Sequence, residues 1–198
     1  MPNWNANVIT ITGPIAMVRT LYEGAVAGEF CNTVYPVPQA LTDTVSGTVG
    51  KPGSDEQLAQ EEQEQRNLEL FSYKNWYDFC VNEWGTKWDF GSEENASFSD
   101  NGDGTATLTI GEDTAWSPPI AIFEKLHDQG LDVLAYYYEP GMMFCGKWHN
   151  GLDECYQIQG NSVWVEENIP DEIDETFAIS ENMAIWEDEE AAEAEAEE

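Results

Sequence analysis

The chain has 198 residues, 41% of them hydrophobic and 12% aromatic, which is enough to bury a core and too apolar for a disordered chain. Seven Lys and Arg against 39 Asp and Glu leave a formal charge of −32 and a pI near 4.1. Such a surface speaks against direct nucleic-acid binding and against anionic membranes, which are held by Lys and Arg, and it attracts basic partners.

ANVITITG alternates and is β-branched, so it predicts an N-terminal strand that Gly13 ends. Pro14 then opens a helix whose apolar face is Ile15, Met17, Val18, Leu21 and Tyr22. The segment 31–70 has a different texture. Pro36, Pro38 and Pro52 with Gly47, Gly50 and Gly53 predict a long loop. A helix capped by Ser54 or Asp55 follows, with little to bury besides Leu58, Leu68 and Leu70. This stretch reads as an insertion outside the core.

Tyr73, Trp76, Tyr77, Cys80 and Trp84 fall at i, i+3, i+4, i+7 and i+11, one face of a helix that Gly85 ends. TKWDF predicts a strand. SFSDNGDGTATLTIG predicts a hairpin turning at Asn101–Gly104. Ser117-Pro118-Pro119 opens a helix with Ile120, Phe123 and Leu126 inward. LDVLAYYYE, MFCGKWH and ECYQIQ predict three more strands. The order β-α-(insert)-α-β-β-α-β-β-β predicts an α+β fold, with helices on one face of a mainly antiparallel sheet. No Lys or Arg follows Lys147. VWVEENIPDEIDETFAISENMAIW wraps the body, and residues 187–198 form a disordered acidic tail. That tail holds eight acids and no base, so the remainder still stands at −24.

The opening residues have no basic stretch before an apolar core, so no signal peptide is expected, and no run approaches the length of a membrane span. Cys31, Cys80, Cys145 and Cys155 are too few and too scattered for a disulfide framework, which fits reduced, mostly structural thiols in a cytoplasm.

Four islands, MPNWNANVITITG, NEWGTKWD, DTAWSPP and YYEPGMMFCG, resemble the YubB-like proteins of bacteriophages and conjugative plasmids. The resemblance implies a ferredoxin-like domain and a mobile-element origin, but no reaction. Residues 1–186 would form that single domain, with 71–160 contributing part of its ferredoxin-like core. Relatives carry Cys where this chain has Asn5, so no metal ligand is implied there.

Candidate chemistry is sparse. Cys145, His149 and Cys155 lack the fourth ligand of a structural zinc site. DNGDGT lacks carboxylates at the calcium positions Gly102, Gly104 and Gly111, and reads as a turn. No metal, cofactor or nucleophile motif is expected. Asp89, Glu139 and Lys87 could line a pocket with Tyr137 and Trp116, which is the one enzymatic alternative. Trp84, Trp88, Trp116 and Trp148 could stack bases, but without cationic neighbours they read as core.

The acids are the remaining signal. Asp55, Glu56, Glu61, Glu62, Glu64 and Glu69 share one helix, and Glu166, Glu167, Asp171, Glu172, Asp174 and Glu175 a second segment. Fixed carboxylates can imitate the phosphate charge of DNA. The acid excess, taken with the mobile-element origin that the resemblance implies, predicts a non-enzymatic phage- or plasmid-encoded protein of the host cytoplasm that inhibits a host nucleic-acid-handling or defence protein by filling its basic groove. The alternative is an interaction module whose acidity serves only solubility.

Overall fold

The computed structural model describes residues 3–196, and side chains as far as residue 194. Strand β1 (Trp4–Pro14) leads into α1 (Ile15–Val26), then α2 (Phe30–Val34), α3 (Gln39–Thr42), α4 (Asp55–Phe71) and α5 (Trp76–Glu83). The hairpin β2 (Ala96–Asp100) and β3 (Thr105–Ala115) follows, then α6 (Ile120–Asp128), β4 (Asp132–Glu139), β5 (Phe144–His149) and β6 (Leu152–Gln157). The chain closes with α7 (Ser162–Asn168), α8 (Asp171–Phe177) and α9 (Ile179–Ala196). This is a mixed α+β fold around one open six-stranded sheet of order β2-β3-β1-β4-β5-β6, in which every pairing is antiparallel.

Strand alternation assigns side chains to two faces. On the front face Ile9, Ile11, Leu108, Ile110, Val133, Ala135 and Trp148 meet α1, α2, α5 and α6 in the main core. On the back face Tyr136, Tyr138 and Cys145 meet the last three helices through Val165, Ile169, Ile173 and Ile179. Helices therefore cover both faces, not one. A strand buried on both sides needs apolar residues of both parities, and β4 has them in LDVLAYYYE.

Four further expectations are corrected. TKWDF is a loop, because its polar groups are committed elsewhere: Asp89 accepts the Cys31 and Asn32 N–H groups, and Phe90 C=O accepts from Phe30 N–H. Phe79, absent from the predicted face, is buried in the core with Cys80. The segment 31–70 is not wholly peripheral, since Cys31, Leu41 and Asn67 are all fully buried. Asn67 Nδ2 donates to Thr44 Oγ1 at 2.9 Å and to Lys74 C=O at 2.7 Å, which ties α4 down despite its poor apolar face. Finally, α9 crosses residue 186 without a break. Ser162 N–H and Oγ donate to the two Glu187 carboxylate oxygens, both at 2.8 Å, so the first tail acid anchors the start of α7. Glu197 and Glu198 lie outside the described residues.

Candidate functional site

Three of the sequence islands converge at one end of the sheet. Trp4 stands opposite Ala115 in the β1–β3 register, and Trp116 N–H donates to Asn3 C=O. The loop after α5 is stitched to the β3 exit by Ser117 Oγ to Gly85 C=O at 2.7 Å and by Ala115 N–H to Thr86 Oγ1 at 3.1 Å. Trp116 adopts φ 71°, an uncommon conformation for a bulky residue, which turns the chain sharply at this point. The result is an aromatic patch. Trp4 and Trp88 pack at 5.9 Å, and Lys87 Nζ lies 4.4 Å from the Trp88 ring centroid, 5.6 Å from Tyr77 and 5.7 Å from Trp116. Trp88 is 40% exposed and Trp116 41%, so two of the four tryptophans assigned to the core are surface residues, whereas Trp84 and Trp148 are buried. Sequence spacing could not separate them, because both kinds sit beside glycine and proline turns.

The acids Asp89 and Glu139 do not share a site. Asp89 lines a cleft of about 420 Å³ with Glu29, Trp76, Trp84 and Trp88. Burial raises its carboxyl above the usual range, partly offset by the N–H groups of Asn32, Cys31 and Phe90. Glu139 is buried and accepts the N–H groups of Gly141 and Met142, which holds the β4–β5 turn. Each carboxylate is engaged by nearby backbone N–H groups, and the cleft beside Asp89 is not lined by Glu139.

A second cleft, of about 540 Å³, opens on the front face beyond α6. Val81, Ile120 and Phe144 form its apolar wall, and Glu124, Asp153, Cys155 and Tyr137 its polar side. Tyr137 Oη donates to Asp153 Oδ1 at 2.7 Å. Burial and that carboxylate push the Tyr137 phenol well above its ordinary range, so it serves as a neutral donor.

The two predicted acidic groups occupy different layers. Asp55, Glu56, Glu61, Glu62 and Glu69 are exposed on α4, which joins the front layer through Asn67 and Phe71; Glu64 is half-buried. Glu166, Glu167, Asp171, Glu172 and Glu175 are exposed on α7 and α8, over the back face. Asp174 is half-buried and accepts from Ser180 N–H at 2.7 Å and from Ser180 Oγ at 2.5 Å, across the α8–α9 junction. Lys147 is the basic side chain that reaches this back layer, and it pairs with Glu172 at 2.5 Å. The structure therefore brings 166–175 and the start of the tail together and leaves 55–69 apart.

Metal ligation by Cys145 and Cys155 is disfavoured by parity. Cys145 points into the back core, and Cys155, opposite Gly146, points to the front cleft. His149 instead faces Asp132 at 3.3 Å. Among the described residues no helix is long and apolar enough to cross a membrane.

No family model matches the chain, and no curated relative matches it. A solved structure does: the crystal structure of the protein api92 from Yersinia pseudotuberculosis, a DUF1281 protein. It is 10% identical, aligns over 81% of this chain and 99% of its own, and has a TM-score of 0.36. At this level the likeness decides neither fold nor function.

Proposed function

We propose that this chain is a non-enzymatic binding protein of a phage or plasmid. Its partner is a host nucleic-acid-handling or defence protein with a basic groove, which it inhibits by presenting carboxylates in place of phosphates. The supporting observation is the α7–α8–α9 layer, where acids stand on helices packed to the sheet through Val165, Ile169, Ile173 and Ile179. Fixed charges keep a spacing that a loose tail cannot, which is what imitation of a duplex needs. The docking surface is accordingly the back layer, and α4 adds a separate patch. The β1-α1-β2-β3-α6-β4 portion, with strand order β2-β3-β1-β4, supports reading the core as ferredoxin-like. The host cytoplasm fits the free cysteines.

A second reading is favoured by the exposed patch of Trp4, Trp88 and Trp116 around Lys87, since tryptophan is enriched among the residues that anchor protein interfaces. Under it the chain is an interaction module and its acidity only keeps it soluble. Both readings are tested by capture on the tagged full chain from nuclease-treated bacterial lysate at low salt, followed by a salt gradient. Mimicry predicts one nucleic-acid-binding protein, released by moderate salt and displaced by duplex DNA. A partner that resists salt, ignores DNA and is lost on Trp88→Ala would instead support the aromatic patch.

A further inference from the structure

Strand β6 ends the sheet, and its outer edge has no partner among the described residues. In an antiparallel pair, residues bonded to the neighbour alternate with residues whose N–H and C=O point away from it. Ile158 N–H donates to Met143 C=O in continuation of the β5–β6 register. Counting back, Leu152, Glu154 and Tyr156 face β5, and the backbone groups of Asp153, Cys155 and Gln157 point outward. Five of the six β6 residues, Leu152, Asp153, Glu154, Cys155 and Gln157, are exposed. The opposite edge strand, β2, also has no outer partner among the described residues, but a cation stands beside it: Arg19 lies 4.6 Å from the Phe98 ring centroid.

The side chains beside this edge define what can add to it. Asp153 and Cys155 project to the front face, where they line the 540 Å³ cleft with Glu124 and the apolar Val81, Ile120 and Phe144. Glu154 projects to the back. No Lys or Arg follows Lys147, so every charge on β6 is negative. A second copy would bring its own −32 and set acid against acid, which blocks self-pairing. An edge bearing acids, beside an acid-rimmed apolar cleft, instead fits a foreign strand that alternates basic and apolar side chains.

We propose that β6 is a docking edge for an extended basic segment of the partner protein, added as a seventh strand. Outward N–H and C=O groups of Asp153, Cys155 and Gln157 form the ladder. Alternation sends the basic side chains of the added strand to the front, where they reach Asp153 and Glu124, and its apolar side chains to the back, beside the exposed Leu152 and the half-buried Tyr156. The proposal rests on the reading that partners of this chain are basic, but it locates a contact apart from the α7–α9 acids.

The test uses the full chain and a capped peptide of roughly ten residues, alternating Lys and Val, about the length of a long strand. Cys155 is the one exposed cysteine, so alkylation reports on the edge directly. Saturating peptide should slow amide exchange at Asp153, Cys155 and Gln157 roughly tenfold or more, and slow Cys155 alkylation alongside. The same peptide with N-methyl groups on two neighbouring central residues, which removes donors from both of its edges, should lose that protection. The edge is overturned if the two peptides protect β6 equally, or if protection falls on the α7–α9 acids alone. The latter result would leave the acidic-layer reading standing. Equal protection by a Glu–Val peptide would overturn the assignment of a basic partner.

Discussion

Tyr137 and Asp153 are joined across two strand positions: the phenol of β4 passes over Gly146 of β5 and donates to the carboxylate of β6 at 2.7 Å. The bond is available because Gly146 has no side chain. A Cβ there would lie 2.3 Å from Tyr137 Oη and 2.6 Å from Glu154 C=O. Tyr137 and Asp153 both line the front cleft, and their bond ties the edge strand to β4 across β5.

Gly146→Ala should therefore destabilise the protein by about 1–3 kcal/mol, the usual cost of forcing extra volume into a packed site. Tyr137→Phe should cost less, about 1 kcal/mol, by removing one hydrogen bond. Urea denaturation of both variants checks the order. If Gly146→Ala proves the milder change, the crossing ring does not depend on the glycine.

Lys125 braces α6 against α5. Its ammonium lies 2.9 Å from Glu83, whose other oxygen accepts from Tyr73 Oη at 2.6 Å. Desolvation acts to raise the Glu83 carboxyl, but the bonds from Tyr73 and Lys125 outweigh it and hold it low. Lys125→Met removes the cation and keeps most of the stem, so a loss of about 1 kcal/mol is expected after screening at this partly exposed site. Thermal melting checks it, and Glu83→Gln in the same background should add little, because the pair has already been broken.

Alkaline stability follows from the buried thiols. Burial pushes Cys80 and Cys145 from 9.0 up to about 12, and Cys31 well above its ordinary value. The unfolded chain ionises these groups near their ordinary pKa, while the fold keeps them neutral. Their contribution is whole below pH 9.0 and is lost as the pH rises toward 12. Each such group contributes a slope of about 1.4 kcal/mol per pH unit in that window. Denaturation midpoints measured from neutral pH upward should stay level and then fall. Cys80→Ala should flatten the fall, and an unaltered profile would remove thiol ionisation as its cause.

Self-repulsion among 39 acids should make the fold salt-stabilised. The bases are too few to offset it, and the Arg66–Glu62 pair, at 3.8 Å on the surface of α4, contributes little. Raising NaCl from low to physiological strength should lift the melting temperature, at roughly 2–4 °C for each kcal/mol of repulsion screened. A flat response would mean that the acids stand too far apart to repel.

Replacement of Glu166, Glu167, Asp171, Glu172 and Glu175 by their amides should weaken binding to a basic partner and flatten its salt dependence. The same change at Asp55, Glu56, Glu61, Glu62 and Glu69 should have the smaller effect, because α4 belongs to the other layer. Asp174 is left intact, since it holds Ser180 at the α8–α9 junction. Affinity measured across a salt series separates the two groups, and equal effects would mean that the charge acts only in sum.

The residue pattern alone determined most of the element order, since alternation in ANVITITG and the proline and glycine punctuation around SPPIAIF act over neighbouring residues. It also determined the acid excess, which no packing can alter. Only the tertiary structure decided that helices cover both faces of the sheet, because β4 offers apolar side chains of both parities and local periodicity does not say what meets each face. Trp88 and Trp148 carry the same side chain, and only the tertiary structure put one in a loop on the surface patch and the other on β5 against Phe123. The two acidic groups looked equivalent along the chain and lie in different layers, because Asn67 ties one to the front and Ile173 buries the other against the back. Long-range pairing is a property of the whole chain, and short-range chemistry holds no record of it.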